Sequence, residues 1–157
     1  MRKTILAFLL VVVGASTAAA QNYDQAFGLR LGTMVGASYK QFVNSSQAFE
    51  AIADLDILHS DAMVVRATAL YEFHIPIYSV DGLSWYIGPG VSAGVQLGDD
   101  SGFILGLDAI GGIEYKLASL PFCFSLDYNP KIFLLGYEKA KDKLSWANLG
   151  LTIRYTF

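Results

Sequence analysis

Apolar and polar side chains alternate along most of this chain with a period of two, in segments of about ten residues. The last segment shows it most plainly. In "ANLGLTIRYTF", Ala147, Leu149, Leu151, Ile153, Tyr155 and Phe157 fall on one face, and Asn148, Gly150, Thr152, Arg154 and Thr156 on the other. The pattern predicts eight such segments, at 26–35, 37–44, 48–57, 62–77, 83–97, 103–117, 121–135 and 144–157. Between them stand "GA", "NSSQ", "HSD", "YSVDG", "LGDDSG", "ASLP" and "GYEKAKDK", clusters of the residues that favour turns. A period near two with many β-branched and aromatic residues argues strand over helix. Connections this short join antiparallel neighbours, so the expected topology is a meander.

The charges test the pattern. Arg30, Lys40, Glu50, Asp54, Asp56, Arg66, Glu72, Asp108, Glu114, Lys116, Asp127, Lys131 and Arg154 all fall on the face opposite the apolar residues. Four segments carry more than one of these charges, and there the agreement is a real constraint on the phase. Pro89 and Pro130 interrupt two segments. Each removes a ladder donor, and each is expected to mark a bulge that could shift the faces by one residue.

Alternation alone does not say which face is inside, since a soluble sandwich or ligand-carrying barrel buries its apolar face. Four features point to the inverted arrangement, a barrel with its apolar face in lipid. The polar face is rich in Gly and Ser, which suit a crowded narrow interior. Tyr71, Phe73, Tyr115, Tyr128, Tyr155 and Phe157 sit on the apolar face toward strand ends, like interfacial girdles. The strand number is even and the lengths suit a tilted spanning strand. The fourth is an export signal.

That signal is "MRKTILAFLLVVVGASTAAAQ", with basic Arg2 and Lys3, an apolar run from Ile5 to Val13, and small residues Ala18 and Ala20 before a cleavage point at Gln21. The run is too short to span a membrane. The expected organisation is a signal peptide over 1–20 and one domain over 21–157, with net charge falling from -3 to -5 once Arg2 and Lys3 are removed. A mildly acidic exported chain gives no support for nucleic-acid binding. Charged residues are 16% and apolar ones 54%, an imbalance that lipid-facing strands explain without a spanning helix. Cys123 is the single cysteine, so no intrachain disulfide can form; it reads as a small buried residue.

The mature chain resembles the small eight-stranded outer-membrane barrels, the class of the OmpA transmembrane domain and OmpX. Segments such as "GLRLGT", "SYKQF", "LYEFHIPI", "LSWYIGPG", "GGIEYKL" and "LTIRYTF" resemble outer-membrane barrels of Bacteroidetes-type bacteria. The resemblance implies periplasmic termini, insertion by the outer-membrane assembly machinery, and a terminal assembly signal matched here by Ile153, Tyr155 and Phe157.

An eight-stranded interior is just wide enough for side chains to fill. The charges above are therefore expected to form a paired network inside the barrel, with no useful solute conductance. An alternative is a small-ion channel. The other alternative is an enzyme acting on lipid, for which His59 and His74 are the candidate bases. His59, Ser60 and Asp61 adjoin in one turn, which ordinarily points such side chains apart. No catalytic set, metal site or cofactor is expected. The loops bearing Asp61, Asp99, Asp100, Glu138 and Asp142 with Lys139, Lys141 and Lys143 share one end, expected to be extracellular, where lipopolysaccharide or divalent cations could meet them. The sequence thus predicts an all-β, monomeric, non-enzymatic barrel of the outer membrane, in contact with lipid and lipopolysaccharide, with a structural or surface-interaction role.

Overall fold

The computed structural model describes residues 23–56, 63–97, 101–135, 144–145 and 148–157; the expected signal peptide lies outside them. Ten strand segments are seen: β1 (Gln25–Gly32), β2 (Val35–Asn44), β3 (Gln47–Asp56), β4 (Met63–Pro76), β5 (Leu83–Leu97), β6 (Gly102–Lys116), β7 (Phe122–Tyr128), β8 (Lys131–Leu135), β9 (Leu144–Ser145) and β10 (Leu149–Thr156). Each of β1 to β6 is one stave. β7 with β8, and β9 with β10, make the other two, so the antiparallel sheet has eight staves. It closes on itself. β5 pairs with β6, β7 with β10, and β1 with both β2 and β10.

Closure is made by the two ends of the chain. β1 and β10 run in register from Ala26↔Thr156 to Gly32↔Gly150, and Gln25 and Phe157 exchange backbone hydrogen bonds at 3.1 and 2.9 Å. Among the described residues every stave has a partner strand on both sides, which a sheet in hydrocarbon requires.

Among the described turns, one differs from the expected punctuation. The β1–β2 turn is Thr33–Met34, and "GA" lies inside β2. Gly36 is needed there for packing: a Cβ on it would strike the Ala53 carbonyl oxygen and approach Asp54 Oδ1 to 2.6 Å. In the β4–β5 turn, Gly82 has φ +82°, the left-handed region open to glycine.

Neither proline shifts the faces. Across Asn129–Pro130 the register against β6 is unbroken, from Gly111↔Tyr128 to Asp108↔Lys131. Pro130 still accepts a hydrogen bond from Ala109 N at 3.1 Å, and the Asn129 amide donates to the Ala109 oxygen at 2.7 Å. Pro89 stands opposite Ala109, and the β4–β5 register is the same on both sides of it, at Leu70↔Gly90 and Phe73↔Ile87. Among the described residues the register shifts come instead at strand ends: near the end of β2, from Phe42↔Ala48 to Asn44↔Gln47, and near the end of β8, from Gly106↔Phe133 to Leu105↔Leu135.

Burial runs opposite to that of a soluble barrel. Leu29, Val91 and Leu149 on the outer face are 62%, 56% and 57% exposed, while Lys40, Glu72 and Arg154 are 0% exposed. The inner face is not uniformly polar: Ile52, Leu70, Tyr86 and Ile110 form an apolar cluster within it. Glycines there serve two ends. Gly28 and Gly88 let backbones meet, since a Cβ on either would strike a carbonyl oxygen of the next strand, that of Ile153 or Tyr71. Gly150 leaves room for the Arg30 guanidinium that lies over it.

Candidate functional site

The interior charges are brought together by inward-facing parity on facing staves. Three are simple pairs: Arg30 (β1) with Asp127 (β7), Arg66 (β4) with Asp54 (β3) at 3.3 Å, and Lys131 (β8) with Asp108 (β6). Lys131 also bonds the Asn129 side chain, and Tyr86 donates to Asp127 at 3.4 Å. Each pair joins buried side chains, and its strength depends on that geometry because the ions have left water.

The fourth group is larger and lies in the half of the barrel nearer the termini. Lys40 (β2) is 2.7 Å from Glu72 Oε2, 3.0 Å from Glu114 Oε2 and 3.5 Å from Glu50 Oε2. It also lies 4.4 Å from the centre of the Tyr86 ring, a cation–π distance. Arg154 (β10) reaches Glu50 on β3 and Glu114 on β6, the latter at 3.3 Å, and donates to Ser38 and Ser125 at 2.8 Å each. Ser38 in turn donates to Glu50. His74 Nε2 is 2.8 Å from Glu72 Oε2.

Aromatic rings close this group on the terminal side. Tyr23, just before β1, donates to Glu114 Oε1 at 2.6 Å and meets Phe42 edge-on at 5.1 Å. Phe42 lies 4.8 Å from His74, which stacks on Tyr86 at 5.0 Å. Cys123 is buried with its Sγ 3.9 Å from the Tyr23 hydroxyl.

No protein-family model matches the chain, and no curated protein does. The fold has a solved counterpart. The structure is similar to the crystal structure of neisserial surface protein A (NspA), with a TM-score of 0.58 and 13% identity, over 85% of this chain and 94% of that one. At that identity the likeness is one of fold.

Of the thirteen charges expected inside, eleven are placed there as described. Lys116 departs from the expectation. It shares their parity but sits at the end of β6, half-buried, and caps the β6–β7 turn by donating to the oxygens of Leu117 and Leu120 at 2.8 and 2.9 Å. Asp56 pairs its backbone with Val64, and its side chain lies outside those described. Ile153, Tyr155 and Phe157 face outward, Tyr155 against Phe122 at 5.7 Å. His59, Ser60, Asp61, Asp99, Asp100 and the charged residues of 138–143 lie outside the described residues. Among those described, no set of three or more His, Cys, Asp or Glu is arranged to hold a metal ion. Tyr23, Ser38 and Ser125 were not singled out from the sequence. The two serines lie on the polar parity, but nothing in the pattern marks Tyr23.

Proposed function

We propose that this chain is an integral outer-membrane β-barrel of the OmpA/OmpX class and Bacteroidetes type, exported by residues 1–20, whose side chains fill the lumen. Its role is non-enzymatic: structural, or surface interaction within the cell envelope, and not that of a general porin. It works as a monomer in contact with outer-membrane lipid and lipopolysaccharide, inserted by the outer-membrane assembly machinery with Ile153, Tyr155 and Phe157 as the recognised end. The observation that carries the reading is the inverted burial. An exposed apolar belt around a closed sheet is unfavourable in water and favourable in hydrocarbon, while ionised side chains are shielded inside. Fractionation of producing cells tests it. The chain should partition with the outer membrane and migrate faster on gels before boiling than after; a soluble periplasmic chain would refute it. In planar bilayers it should give no stable large pores. A lipid-modifying activity would appear as altered lipid A or phospholipid acylation in a strain lacking the gene.

A further inference from the structure

The ionic groups described inside the barrel do not balance, and the imbalance has an address. Six carboxyls (Glu50, Asp54, Glu72, Asp108, Glu114 and Asp127) share the interior with Arg30, Lys40, Arg66, Lys131 and Arg154. Three carboxyls are matched one to one, by Arg30, Arg66 and Lys131. The remainder is Glu50, Glu72 and Glu114 against Lys40 and Arg154, all essentially without solvent contact. The described groups that face them from neighbouring elements are Ser38, Tyr86, Ser125, Cys123 and Tyr23, all uncharged, His74, and the Arg30–Asp127 ion pair, which adds no net charge. An unmatched charge removed from water is strongly unfavourable, so the group needs one more positive charge.

Two atoms show where it goes. Within this group, Glu50 Oε2, which meets Lys40 only as a 3.5 Å ion pair, and Glu72 Oε1 are buried and accept no hydrogen bond; Asp54 Oδ1 and Asp108 Oδ2 are likewise unbonded but belong to acids already matched by a cation. The two glutamate oxygens belong to carboxyl groups that face inward as diagonal neighbours on the paired strands β3 and β4 (Ala48↔Glu72, Glu50↔Leu70), both drawn in around Lys40 at 3.5 and 2.7 Å. Two carboxylates that close do not both ionise; one keeps its proton and donates it to the other.

We infer that Glu50 and Glu72 form a buried proton-binding site, in which Glu72 Oε1 carries the proton and donates it to Glu50 Oε2. One proton then supplies both orphaned oxygens and brings the group to neutrality with His74 uncharged. With the proton on Glu72 Oε1, Glu72 Oε2 is a carbonyl oxygen, so the neutral His74, its Nε2 2.8 Å away, is the donor to it, and the imidazole lies between Phe42 and Tyr86. A proton on His74 instead would leave both oxygens without a donor and two like charges side by side. The site rests on the closed barrel and not on the envelope role.

Infrared difference spectroscopy of the folded wild-type chain in detergent micelles at neutral pH reads the site directly. One carboxylic-acid C=O stretch per chain is expected, shifting in D2O. Glu72→Gln and Glu50→Gln should each abolish it, because two acids then remain for two cations. His74→Gln should keep it. Faster migration before boiling reports folding in every sample, independently of the proton. Each glutamine variant leaves the group balanced and is expected to fold, and either one alone suffices for the test. A folded wild type without the band overturns the inference. So does a band that survives both glutamine substitutions, or one lost in folded His74→Gln.

Discussion

Gly28 of the first strand stands directly opposite Arg154 of the last, and a Cβ on Gly28 would lie 2.6 Å from the Arg154 Cα while overlapping the Ile153 carbonyl oxygen. The atoms in the way are backbone and cannot swing aside. Gly28→Val should therefore block closure of the seam, seen as loss of the fast-migrating unboiled form. Gly111→Ala is the control, because its Cβ would meet nothing nearer than the Tyr86 oxygen at 3.9 Å. Equal behaviour of the two variants would show that the seam is not so tightly constrained.

Arg154 anchors two carboxylates at once. Arg154→Met should destabilise the barrel by about 3–5 kcal/mol, the range for stranding a buried partner charge. Adding Glu50→Gln should recover much of that loss, since it removes one stranded acid. Urea unfolding in lipid vesicles measures both, and strict additivity of the two changes would contradict the coupling.

The outer face carries a depth-dependent expectation. Val91 lies in the middle of β5 and Leu97 at its end, both exposed. Val91→Arg should cost about 2–4 kcal/mol in a bilayer and Leu97→Arg about 0–1. In a detergent-free aqueous fold the contrast would vanish, which makes this pair a test of the lipid assignment itself.

Cys123 serves as a built-in reporter for the Tyr23 contact. In the folded chain a maleimide should label it slowly, because the thiol is buried against the Tyr23 hydroxyl. Tyr23→Ala should speed labelling markedly while the fast-migrating form persists. An unchanged rate would mean that Tyr23 does not cover this end of the lumen.

Why the eight staves were readable, and some details were not, follows from what alternation encodes. Parity records which residues share a face, so spacing alone grouped Arg30, Glu50 and Arg154, and the Gly- and Ser-rich polar face, the aromatic strand ends, the strand number and the export signal turned that face inward. Parity carries no height, so Lys116 at the mouth looked the same as Glu114 two residues deeper. Glycine is ambiguous in another way. Gly36 was read as a turn because glycines punctuate loops, yet it sits in β2 because a neighbouring carbonyl occupies the space of its Cβ. The prolines misled for a related reason: the loss of a donor at Pro89 or Pro130 does not change the register when the ladder continues on both sides. The apolar inner cluster of Ile52, Leu70 and Ile110 was hidden because each sits alone among polar neighbours of its own strand. Tyr23 precedes the first strand, where no period exists to place it.

The seam between β1 and β10 also makes the interior a check on completeness. Glu50 and Glu114 are contributed before β7, but Arg154 comes from the last strand, three residues before Phe157. A chain truncated before β10, or one whose last strand has not docked, holds those acids beside Lys40 without their second cation. Such a species cannot quietly persist as a nearly finished barrel in hydrocarbon. It must finish, or stay open to the water that solvates its unmatched acids.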